Sequence, residues 1–187
     1  AVVTKSDRVV PATLMEKLSL VGTLAPWKEI IPVSAKKDFQ IEKLFSSYYE
    51  KRLHFFPLEA TQNGDHRFDD LLPNYITQSY RDTLKAFYSS TLDSLNLFRR
   101  ENLSDNNQVS YDILKWDMEM AIEGLKFPDH LMPINQFWSL TLTMGQLGSG
   151  SGIQPFETSK DYENFLMRIH RFVPWCDTAI ANMRKGI

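Results

Sequence analysis

From Ile41 onward the apolar positions fall three and four residues apart, a spacing that gathers them on one face of an α-helix. Ile41, Leu44, Phe45, Tyr48, Tyr49, Leu53 and Phe56 form the first stripe, and Pro57 stops it. Residues 62–73 read as a polar loop, with turn signals at Asn63-Gly64 and Asp69-Asp70. Tyr80, Leu84, Phe87, Tyr88, Leu95 and Phe98 mark the next helix. Ser104 is a good N-cap for a third, striped by Tyr111, Leu114, Met118, Ala121 and Leu125 and bracketed at its end by Gly124 and Pro128. Residues 129–156 are irregular and rich in glycine and proline, with a short strand expected at 140–144. Thr158 and Asp161 have the spacing of a capping box. The helix beyond carries Tyr162, Phe165, Leu166, Ile169 and Phe172. Pro174 is expected to kink or interrupt it before Trp175, Ala179, Ile180 and Met183 resume the stripe.

The first 37 residues follow another pattern. Ala1-Val2-Val3 is a short apolar run, residues 12–24 have helical spacing at Leu14, Leu18 and Val21, and residues 29–33 are apolar and β-branched. Strand, helix, strand is a βαβ unit, which implies a parallel sheet. Two strands and one helix bury too little to stand alone. The expected fold is mainly α: a bundle of about four to six helices over residues 38–187, with a short amino-terminal βαβ remnant over residues 1–37.

Composition narrows the function classes. The 187 residues are 43% hydrophobic and 24% charged, enough to bury a core. Aromatics reach 12%, which suits helices packed through large rings or a surface that meets more protein. The formal charge of -2, with no long basic run, argues against a general nucleic-acid binder. Cys176 is the only cysteine, so a disulfide framework and a multi-cysteine zinc site are excluded. No signal peptide opens the chain, and no apolar run approaches the ~20 residues that span a bilayer. The chain as written is expected to be soluble and cytoplasmic, with no membrane partner. A parent of the helical part could be exported.

Two clusters near the amino end suggest chemistry. Thr4-Lys5-Ser6-Asp7 follows the first strand and Ser34-Ala35-Lys36 the second. The pairing resembles the two guanine-reading motifs of Era-type GTPases, and residues 1–37 resemble the back end of such a domain. The resemblance implies that Asp7 accepts hydrogen bonds from the guanine ring and amino groups. It implies that Lys5 packs along base and sugar, and that the Ala35 amide donates to the guanine carbonyl. Thr4, Ser34 and Lys36 complete the two motifs. A Gly-x-x-x-x-Gly-Lys-Ser/Thr loop is missing, so nothing cradles the phosphates. The plainer reading is a leftover strand-to-helix turn. No cofactor is expected, and GTP or GDP stands only as an alternative ligand.

The longer resemblance rests on four segments in order: LFSSYYEKRLHFFPLEATQNGDHRFDDLLPN, VSYDILKWDMEMAIEGLKFP, PINQFW and GSGSGIQPFETSKDYENFLMRIHRFVPWCDTAIANMRKG. Together they resemble the amino-terminal part of the bacterial family called domain of unknown function 885. That resemblance implies a helical fold similar to zinc metallopeptidases, whose His-Glu-x-x-His motif lies downstream of the matched region. No His-Glu pair occurs here, so no catalytic or metal residue carries over.

The remaining polar residues have bland readings. His54, His66, His130 and His170 form no i, i+4 pair. His66 lies in the polar run 64–70, whose aspartates are expected to cap turns, or to serve as a substrate-side element in a complete protein. Gly145, Gly148, Gly150 and Gly152 read as a mobile connector, which the resemblance implies would lie near the substrate cleft of a whole protein. Glu119 and Glu123 share a solvated face with Lys115, and Cys176 reads as core packing. The functional expectation is a non-catalytic helical fragment or fusion, the cleft-wall portion of a metallopeptidase-like protein. A guanine-nucleotide module and a helical homo-oligomer that buries its surplus aromatics are the alternatives.

Overall fold

The computed structural model describes residues 33–186, with side chains from Asp38 onward. Among the described residues there are six α-helices: α1 Val33–Phe55, α2 Pro57–Gln62, α3 Gln78–Asn96, α4 Asp105–Gly124, α5 Leu140–Leu147 and α6 Ser159–Lys185. Single 3-10 turns lie at His66–Phe68, Arg100–Asn102 and Asp129–Leu131. The described residues form no strand beyond an isolated antiparallel bridge between Ile134 and Ser139. The protein is mainly α, as the three-and-four periodicity predicts. The expected elements within residues 1–32, and with them Thr4, Lys5 and Asp7, lie outside the described residues. Ser34, Ala35 and Lys36 have helical backbone at the start of α1, which runs unbroken through the expected boundary between residues 37 and 38.

The described chain forms two compact units, residues 33–47 with 90–119 and residues 48–89 with 120–186. In the first unit Ile41, Leu95, Leu103, Tyr111, Leu114 and Met118 are buried. Asp38 on α1 accepts hydrogen bonds from the Ser104 amide at 3.0 Å, the Ser104 hydroxyl at 3.2 Å and Asn107 Nδ2 at 3.0 Å. A carboxylate at the start of α4 offsets the positive end of that helix.

In the second unit Leu72, Ile76, Leu140, Met144, Leu147, Trp175 and Ala179 form one core, with Leu58, Phe165, Phe172 and Cys176 packed against it. Burial holds the Cys176 thiol above its ordinary pKa. Leu53, Ala60 and Phe68 form a smaller core with Leu71. Four expectations are corrected here. Residues 140–144 are the first turns of α5, because Leu140, Met144 and Leu147 bury one helical face and Ser139 caps the start. Residues 62–73 are polar and exposed only toward their start: the segment contains a 3-10 turn and buries Phe68, Asp69 and Leu72. The glycine run is more than a connector. A Cβ on Gly148 would lie 2.9 Å from the Phe165 ring, and Gly150 has φ +72. Finally, Pro174 does not interrupt α6, which continues through it as one helix of 27 residues.

Candidate functional site

The end of α1, α2, the segment 72–76, the start of α3 and the chain after α4 surround a cleft of about 390 Å³, all within the second unit. Its lining is largely apolar: Phe55, Phe56, Leu58, Leu72, Ile76, Leu84 and Leu125. The sequence sets up this geometry. Pro57 ends α1 and opens α2 as its first residue, the position where a missing N–H costs nothing. Tyr80 and Arg81 then sit in the first turns of α3, one turn before Leu84.

The polar groups on the cleft mostly serve the fold. Tyr80 donates its hydroxyl to the Phe55 carbonyl at 2.6 Å, satisfying the last residue of α1. Burial, and then the neighbouring Tyr88, drive its pKa far above the ordinary phenol value. Arg81 is buried. It donates to the carbonyls of Leu125 at 2.8 Å and Phe127 at 2.7 Å, just past α4, and pairs with Asp129. A cation at that place suits the negative end of a helix. Glu59 pairs with Arg52 at 2.6 Å. His130 differs: its Nδ1 is buried with no hydrogen-bond partner. Desolvation, and then the nearby Arg81 charge, hold its pKa below the ordinary imidazole value, which favours the neutral form.

A second polar cluster lies behind the small core. Arg168 on α6 is 0% exposed and Asp69 is 1% exposed. The Arg168 guanidinium donates to the Leu71 carbonyl at 3.2 Å, the Phe68 carbonyl at 3.2 Å and the Thr61 hydroxyl at 2.7 Å, and also to Gln154 Oε1. Thr61 passes its own hydroxyl proton to Asp69 Oδ1, and the Arg168–Asp69 charge separation is 3.6 Å. Burial pulls the Arg168 pKa below its ordinary value, with Asp69 and then Asp70 opposing. His66 Nδ1 donates to Asp69 Oδ2 at 2.9 Å while half of the imidazole faces solvent. Such a carboxylate fixes the tautomer and orientation of an imidazole. The buried partners Thr61 and Arg168 make this primarily a structural brace.

Of the residues singled out in the sequence, His66 and His130 are brought to these two places, and Cys176 to the core. The side chains of Ser34, Ala35 and Lys36 are not among the described ones. Sequence reasoning missed Arg81, Thr61, Gln154 and Arg168. One signal was available: Arg168 falls in register with Phe165, Phe172 and Trp175, so it is a charge inside an apolar stripe. Among the described residues no group of three or more His, Cys, Asp or Glu is placed to hold a metal ion. No described helix is long and apolar enough to cross a membrane.

An all-helical unit with an apolar cleft and a braced arginine defines a helical domain. The chain belongs to the family described as bacterial protein of unknown function (DUF885), whose model matches residues 57–187. The match covers all of the cleft's lining residues except Phe55 and Phe56. No curated protein and no solved structure matches the chain.

Proposed function

We propose that this chain is a non-catalytic helical wall of a metallopeptidase-like protein, and that its cleft seats an apolar side chain of a bound polypeptide. The observation that carries the reading is the state of the cleft's polar groups. Arg81, Tyr80 and Glu59 are already committed to backbone carbonyls or to ion-pair partners. What the cleft offers a ligand is therefore shape, apolar surface and one imidazole, that of His130. A pocket of a few hundred Å³ with a single orienting polar group is the usual form of an apolar subsite. The family's own description names no activity, so the metallopeptidase likeness rests on the four sequence segments alone.

The test is titration of the full chain with short blocked peptides carrying leucine or phenylalanine, followed by NMR or calorimetry. A dissociation constant of roughly 0.1–1 mM suits one apolar anchor. Leu125→Asp, at a half-buried lining position, should weaken it at least roughly tenfold. Absence of saturable binding, or peptide cleavage that disappears in His130→Gln, would overturn the proposal.

A further inference from the structure

The outer face of α6 carries an apolar seam most of whose side chains are exposed. Tyr162, Leu166, Ile169, Val173, Cys176, Ile180 and Met183 recur at steps of four, three, four, three, four and three. That is the 3.5-residue repeat of a two-helix seam. Apart from Cys176, which also packs against the core, it is distinct from the inward face, where Phe165, Arg168, Phe172, Trp175 and Ala179 meet the core and the brace. Tyr162 is 55% exposed, Leu166 54%, Val173 58% and Ile180 51%, far more than isolated surface apolar residues require explaining.

The charges beside the seam say what covers it. On the flank away from the core stand Glu163, His170, Asp177 and Arg184, all exposed. Lay a second α6 antiparallel, with Leu166 opposite Met183, Ile169 opposite Ile180 and Val173 opposite Cys176. In that register Glu163 faces Arg184 of the second copy, and His170 faces its Asp177. Two-fold symmetry then makes each contact twice. A parallel pairing instead sets these charges against Phe165, Phe172 and Ala179, where they find no partner. The seam is thus self-complementary in one direction only. Glu163 has one contact in the monomer, Lys160 Nζ at 3.5 Å with both groups exposed, which leaves it available.

We infer that the protein forms a two-fold dimer through antiparallel pairing of the α6 seam, with a second copy of this chain as the occupant. Sedimentation of the full chain over a concentration series should give twice the 21.7 kDa chain mass. Val173→Glu changes an exposed side chain, so helicity by circular dichroism should stay unchanged while the mass falls to that of one chain. Glu163→Arg and Arg184→Glu should each weaken association roughly two- to tenfold, and the two together should return it to within about twofold of the unsubstituted chain. A monomer up to about 100 µM would overturn the inference. So would a dimer that survives Val173→Glu, or a charge exchange that fails to restore association.

Discussion

Arg168 places a guanidinium where the sequence pattern asks for an apolar side chain. Its neighbours in register are Phe165 and Trp175, yet its donors reach carbonyls and a hydroxyl contributed by residues 61–71 and the amide of Gln154. Removing one member of such a buried set leaves the others dry and unsatisfied, which costs about 3–5 kcal/mol. Arg168→Ala should therefore lower the urea-derived stability by about that amount, and Asp69→Asn by somewhat less, because the amide oxygen still accepts from one of Thr61 and His66 while the other loses its acceptor. A loss below about 1 kcal/mol for Arg168→Ala would show that water enters and satisfies the site. The brace was not legible as a site because all its partners but Gln154 lie about a hundred residues away in the chain. A stripe read along one helix shows that a charge is out of place but gives no address for its counter-charge.

Helix existence was legible, and helix ends were legible wherever a side chain makes the end. Thr158 and Asp161 form the capping box that their spacing predicts: the Thr158 hydroxyl meets the Asp161 amide at 3.3 Å, and the Thr158 amide meets Asp161 Oδ2 at 2.7 Å. Thr158→Ala should cost about 1 kcal/mol in thermal or urea unfolding. The hydrogen bonds from Thr158 also hold the Asp161 pKa below the ordinary carboxylate value. The sign follows: a folded-state pKa below the unfolded value of about 3.9 means that the unfolded chain binds the proton first. The contribution of Asp161 is present above that value and is lost as pH falls through the folded pKa. The stability difference between the protein and Asp161→Asn should then be flat above about pH 5 and shrink on acidification. A difference independent of pH down to 2 would remove the carboxylate from the cap. The helix α5 was misread because Thr141 and Thr143 have high strand propensity, while the burial of Leu140, Met144 and Leu147 that decides the matter depends on a core built from α6. Pro174 does not interrupt α6. Its missing N–H breaks one rung, but Trp175 on the next residue is almost wholly buried, and its packing holds the helix together across the gap.

At the scale of the molecule, the mainly α class followed from periodicity, whereas the cleft did not. Its walls come from five segments between Phe55 and Pro133, and no local pattern announces that they converge. What the sequence did announce is surplus aromatic surface, and part of it stands in the open. Phe137 is 78% exposed and Trp138 76%, held out by a turn in which Asn135 Oδ1 accepts both of their amides at 2.9 and 2.8 Å. With this surface exposed, charge repulsion is what keeps copies apart beyond any specific pairing. The sequence pI is about 6.1, so that repulsion vanishes slightly below neutrality. Light scattering at fixed low salt should therefore rise to a maximum near pH 6 and fall on either side, as the net charge becomes positive below and negative above. Phe137→Ser with Trp138→Ser should lower the height of that maximum without moving its pH, because neither substitution changes a charge. Scattering that climbs steadily with acid and never turns over would assign the association to unfolding instead of to apolar patches on a folded chain.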